Sequence, residues 1–185
     1  WLIGVFASAW HNAMVFSAGT NVNNSDDPRQ DFLSLREKVV TLQIASVSAD
    51  NTPLASYAPF VWHDNACYLL LSDLAEHTPN LRSNPAISLM LIEPEGEASN
   101  PFARQRILLQ GQAAIIPRDA EPYALVLDKF QQRFGNIIEV IATLADFHLF
   151  QITPQSGRFV KGFGQAYRLS GDALDQLVHI NPAKP

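Results

Sequence analysis

A single cysteine, Cys67, stands in 185 residues. It excludes an internal disulfide, a Cys-x-x-Cys redox pair, a cysteine-rich zinc site and covalent c-type heme attachment through Cys-x-x-Cys-His. Positive charge is also scarce. Thirteen Lys and Arg against 18 Asp and Glu leave a net charge of −5. General nucleic-acid binding needs a basic footprint, so it is not expected. Long apolar runs are missing too. Residues 1–20 are apolar and nearly uncharged, but Trp10-His11-Asn12 breaks them, and a membrane span needs about 20 apolar residues. No basic n-region marks a secretory signal. Neither a membrane segment nor export is expected, and the setting read from this is cytoplasmic. There is no Walker A sequence, no His-Glu-x-x-His and no Gly-x-Ser-x-Gly. Gly162-Phe163-Gly164-Gln165-Ala166-Tyr167 begins like a dinucleotide loop. Tyr167 stands where the third small residue should be, and no βαβ pattern surrounds it.

What is present is 47% hydrophobic sequence, enough for one domain of the usual roughly 100–200 residues. Residues 1–30 read as an N-terminal extension and a polar linker (Asn, Asp and Pro over 21–30). An upstream extension, a fragment edge and an arm packed on a partner all fit that composition. The domain is expected over 31–180, followed by a fraying tail at 181–185.

The pattern predicts a short helix over 31–39 from Phe32, Leu35 and Val39. Strands follow at 41–48, 54–62 and 67–71, with Asp50-Asn51-Thr52-Pro53 and Asp64-Asn65 as turns. Thr78 is read as a helix N-cap with Pro79 at the first position, and the helix stops before Pro85. Strands at 86–92 and 105–116 come next. Asp119 is read as the cap of a helix with Leu127, Phe130 and Phe134 as its stripe, and a short helix follows at 137–144. Residues 147–152 form a sixth strand, and 158–160 with 165–169 extend the sheet. Residues 172–179 are expected as a short helix or turn. Such a meander suggests a mainly β fold, a closed or nearly closed six-stranded antiparallel barrel with helical additions.

Without cysteine chemistry, the histidines His11, His63, His77, His148 and His179 are the available ligands. His77 precedes a helix start and reads either as a surface residue or as a contact to an acidic group. His148 alternates with apolar neighbours and is expected to meet solvent or a hydrogen-bond partner. His179 reads as a surface residue or as an iron ligand on a closing tail. Arg104 and Arg106 alternate on entry to a strand, which suits either solvent or an anion held by planar donor forks. Lys161 beside two glycines reads as a bulged corner or as a cation near an anionic cofactor. Asp146 reads as a turn cap or as a carboxylate orienting a histidine.

Several segments then occur in a telling order: 39–45, Ser56-Tyr57-Ala58-Pro59-Phe60, His77-Thr78-Pro79-Asn80-Leu81, 88–93, Phe102-Ala103-Arg104-Gln105-Arg106, Arg133-Phe134-Gly135 and 159–167. Over residues 30–180 the ordered set resembles the bacterial heme-utilisation proteins of the HugZ/HutZ type. These lie within the pyridoxamine-phosphate-oxidase-like, FMN-binding split-barrel superfamily. The resemblance implies a homodimeric six-stranded split barrel with heme at the subunit interface. It implies heme breakdown with dioxygen and an external electron donor, releasing iron. Superfamily cousins bind FMN in the corresponding cleft, so an FMN-dependent oxidoreductase and a heme carrier without turnover are the alternatives. By the same resemblance His179 is the iron ligand. His77 and Asp146 form a hydrogen-bonded pair near the heme across the dimer. Arg106, Arg104 and Lys161 meet the heme or its carboxylates.

Overall fold

The computed structural model describes residues 27–180. The readings of residues 1–26, His11 included, and of the tail at 181–185 lie outside the described residues. Helix α1 (Pro28–Lys38) begins three residues ahead of the expected Asp31. Asp27 caps it by accepting from the Arg29 amide, and Pro28 takes the first position, where a missing N–H costs nothing.

Six strands close the barrel: β1 (Thr41–Val47), β2 (Pro53–His63), β3 (Ala66–Ser72), β4 (Ala86–Ile92), β5 (Arg106–Ile116) and β6 (Phe147–Gly162). All neighbours are antiparallel, and pairing of β3 with β6 completes the ring. β7 (Gln165–Ser170) and β8 (Gln176–His179) extend the sheet beyond β6. The expected six-stranded barrel is therefore present.

β6 is one strand of 16 residues, where two shorter segments were expected. Its first part pairs with β3, its last part with β7, and β5 runs beside it throughout. Pro154 is tolerated inside it because it falls opposite Gly111, at a register shift of the ladder. Residues 176–179 are a strand and not the expected helix or turn. Leu177 and Val178 favour extended backbone, and the turn before them carries positive φ at Gly171 and Leu174.

The barrel interior holds Leu42, Ile44, Phe60, Leu69, Leu89, Ile107, Phe150 and Phe159, all nearly inaccessible. Each such side chain contributes roughly 1.5–3 kcal/mol by burial. α1 adds Phe32 and Leu35 to this core, with Phe32 edge-on to Phe159 at 5.8 Å.

A second core lies outside β2, β3 and the start of β6. Helices α3 (Glu121–Phe134) and α4 (Ile137–Thr143) press Tyr123, Val126, Phe130 and Ile138 onto Val61, Tyr68 and Leu149. The buried stripe of α3 is thus Tyr123, Val126 and Phe130, with Leu127 and Phe134 at its margin. Asp119 does not cap α3; Ala120 holds that place without a side-chain bond. Arg133 ties α3 to α1 by donating to the Glu37 and Val39 carbonyls while lying over the Phe60 ring.

Among the described residues no helix covers the other outward face. Strand register lines up Tyr57, Gln43, Met90, Leu108, Arg158, Arg168 and Val178 in one row across seven strands. Tyr57 there is 69% exposed.

Candidate functional site

A cleft of about 570 Å³ opens at the barrel mouth between β2, the end of β3 and helix α2 (His77–Ser83). Leu54, Ala58, Leu71 and Ala75 give it a mainly apolar lining, into which Ser56 brings a hydroxyl. Ser72 and His77 supply further polar groups. Its only charged side chain is Glu76, and no Lys or Arg lines it.

Local sequence builds this mouth. Inward positions of β2 alternate as Leu54, Ser56, Ala58 and Phe60, with Phe60 deep in the core and the small Ser56 and Ala58 nearer the mouth. The small residues near the end leave the space. Thr78 does not cap α2. It lies inside the helix, and its hydroxyl donates to the Ser72 carbonyl at 2.6 Å, fastening α2 to the end of β3. Asn80 donates to Ser46 at 3.2 Å below it. α2 stops at Asn84, ahead of Pro85, as expected.

His77 is buried, with Nδ1 2.9 Å from Ser56 Oγ. Loss of solvent holds its pKa below the ordinary histidine value, so the ring is neutral at pH 7. Asp146 lies just before β6 and does not touch His77 within one chain. It accepts from Ser72 Oγ at 2.8 Å, and its carbonyl accepts from the Asp73 amide at 2.8 Å. Asp146 thus reaches the cleft through Ser72. His148 finds a hydrogen-bond partner, Asp73, at 2.9 Å, and Arg82 pairs with the same carboxylate at 2.7 Å. These partners hold the Asp73 carboxyl below the usual range, the hydrogen bond from His148 first.

The three cations differ in their engagements. Arg104 precedes β5, and its guanidinium turns back to donate to the Glu93 carbonyl at 2.9 Å. Arg106, inside β5, donates to the Arg104 carbonyl at 3.0 Å. The two arginines therefore do not sit as an equal pair at the strand entry. Lys161 forms an ion pair with Asp31 of α1 at 2.7 Å.

His179 ends β8 opposite Tyr167. Its ring meets Tyr167 edge-on at 5.2 Å, and its Nε2 donates to the Gly164 carbonyl at 3.3 Å. Tyr167 in turn stacks on Phe159 at 6.2 Å. His179, Tyr167 and Phe159 therefore share one face of the sheet. Arg106 is opposite Val160, one residue along from Phe159, so it shares the other face. Among the described residues no group of three or more His, Cys, Asp and Glu side chains is gathered to hold a bare metal ion. No described helix is long and apolar enough to cross a membrane.

A model of the pyridoxamine 5'-phosphate oxidase family matches residues 29–161. The chain belongs to this family. Within the family it is similar to heme oxygenase HutZ of Vibrio cholerae, 45% identical over 145 residues, 78% of this chain and 82% of that protein. A crystal structure of Vibrio cholerae HutZ, described as a heme storage protein, superposes with a TM-score of 0.66 at 39% identity. It covers 68% of this chain and 89% of its own. Campylobacter jejuni ChuZ superposes with a TM-score of 0.75 at 30% identity, over 82% of this chain and 61% of its own. The heme-utilisation branch indicated by the ordered segments is thus the part of the family that this chain resembles.

Ser56 and Ser72 escaped the reading of the sequence as site residues. Ser56 lay in a quoted segment, yet its role depends on meeting His77, 21 positions away. The signal that could have found it is a small polar residue at an inward position of an otherwise apolar strand.

Proposed function

We propose that two copies of this chain clasp heme between them, and that the protein degrades it with dioxygen and an external electron donor, releasing iron. The likeness to heme oxygenase HutZ over 78% of the chain carries this reading. The cleft lining favours heme over FMN. Its apolar walls and neutral histidine suit a broad apolar macrocycle whose carboxylates lie at one edge, outside the cleft, whereas a flavin ring carries hydrogen-bonding groups that need partners within it.

Bound heme supplies the iron chemistry by which dioxygen attacks the porphyrin; the chain supplies orientation and protons. His179 is the residue we assign to the iron. The Tyr167 edge and the Gly164 carbonyl fix the plane of its ring. His77, neutral and bonded to Ser56, can accept or return a proton at the cleft. Asp146 steadies Ser72, which lines the same cleft. Of the three cations that the resemblance brings to the heme, Arg106 is the one we assign to the porphyrin itself, since Lys161 is paired with Asp31 and Arg104 is turned to Glu93. His179 and Arg106 lie on opposite faces of one sheet, so a heme touching both takes them from two subunits. That arrangement supports the homodimer. A cytoplasmic setting, where reductant is at hand, accompanies the reading.

Titration with hemin and, separately, with FMN tests it. The expected result is a Soret band from hemin and no flavin uptake. His179→Ala should lose the ligated-heme spectrum; an unchanged spectrum sinks that assignment. Ascorbate added to the heme complex should bleach the Soret band and release iron. A stable band would favour a carrier, the second reading, which the description of the HutZ crystal structure as a heme storage protein also supports.

A further inference from the structure

Arg158 on β6 and Arg168 on β7 stand directly opposite each other in the ladder, both exposed on the outward sheet face. No acidic side chain among the described residues pairs with either. Like charges opposed across two strands repel and destabilise the pairing, so this chain carries a cost that an oxyanion would relieve. The surroundings suit one. Together with Ser88, Gln110 and Ser156, the two arginines line a groove of about 510 Å³ floored by Leu108. Neither arginine side chain donates to a structural carbonyl, unlike Arg104, Arg118 and Arg133.

We propose that this pair takes the two carboxylates of the porphyrin, on behalf of the heme whose iron is held by the other subunit. The assignment rests on the heme reading above. Opposed strand residues place their Cα atoms about 4.5–5.5 Å apart, so two guanidinium forks lie side by side. Two carboxylates hung from one edge of a flat ligand match that spacing, and each fork can bind one of them bidentately. The row continues from Arg158 through Leu108 and Met90, past Gln43, to Tyr57, a largely apolar strip for the macrocycle. His179 faces the opposite side of the sheet, through Tyr167 and Phe159, so iron and carboxylates cannot be served by one chain. The cleft with His77 has no cation, and the arginine pair supplies what it lacks.

The test compares hemin with hemin dimethyl ester, whose carboxylates are blocked, on wild type and on Arg158→Gln/Arg168→Gln. Soret titration gives affinity, and thermal unfolding of the heme-free protein reports the fold. Wild type should prefer hemin by on the order of tenfold or more, while the double variant binds both porphyrins alike. Relief of repulsion should leave the heme-free Tm equal to or above that of wild type. Each single variant should lose part of the preference, which keeps the test alive if the double variant folds poorly. A variant that retains the full preference overturns the assignment, as does a wild type that binds both porphyrins equally. A wild type that takes up neither overturns the heme reading itself and this inference with it.

Discussion

His77 Nδ1 and Ser56 Oγ lie 2.9 Å apart inside the cleft mouth, joining the start of α2 to the middle of β2. Burial depresses the His77 pKa in the folded chain. Above the unfolded value of about 6.5 both states are neutral and the group adds no pH dependence. As pH falls below that value the unfolded chain takes up a proton that the folded chain resists, so stability declines. Thermal unfolding between pH 7.5 and 5 should show a fall that is shallower in His77→Gln. Parallel curves would place the pH dependence elsewhere. Ser56→Ala leaves the buried ring without this partner and should cost about 1–3 kcal/mol.

Cys67 faces the barrel core with no exposed surface, and burial pushes its thiol well above the ordinary range. The thiolate is the reactive form. A thiol reagent at pH 8 should therefore label the native protein negligibly and reach one thiol per chain only in denaturant. Rapid native labelling would mean that β3 opens readily.

Much of this architecture was legible because local pattern and global position agree. The inward alternation of Leu42 and Ile44, and of Ile107 and Leu109, follows from period two alone. Positions that depend on register were not legible. Arg158 and Arg168 oppose each other because the hairpin slips at Val160 and Gly162. The sequence shows the two glycines but not the offset they produce. His179 was visible as a histidine, while its face depends on pairing with Tyr167. The continuity of β6 through Pro154 likewise depends on Gly111 standing opposite it in the ladder, which one strand alone does not reveal. Asp146 and His77 illustrate a further limit. A link between subunits leaves no trace in the periodicity of one chain, and within one chain each has a different serine partner.

Gly111 is required by close approach and not by its φ. A Cβ there would sit 2.3 Å from the Thr153 carbonyl oxygen, a backbone atom of the neighbouring strand. Gly111→Ala should force β5 and β6 apart at the bulge and cost about 1–3 kcal/mol, as overpacking does. Gly157→Ala meets the Leu109 and Leu169 side-chain tips at 2.8 Å and the Leu108 carbonyl oxygen at 3.0 Å, a looser backbone approach than at Gly111. Its loss of Tm should be smaller. Equal losses would show that the bulge absorbs the methyl group.

The uncovered outward face gives the last prediction. Tyr57 is 69% exposed, and Met90 and Leu108 lie beside it in the same row. Apolar surface gathered in this way marks an interaction site, and a stable interface removes about 1,200–2,000 Å² in all. The homodimer proposed above would bury this face, so wild type should sediment at twice 20.5 kDa. Met90→Glu places a charge without a partner in the middle of the row and should yield monomers. Val140→Glu is the control, because Val140 is exposed on α4, on the far side of the second core. It should remain dimeric. If two subunits hold the heme, Met90→Glu should also lose hemin uptake while keeping its far-UV circular dichroism. A monomeric wild type that still binds hemin tightly would refute the shared site.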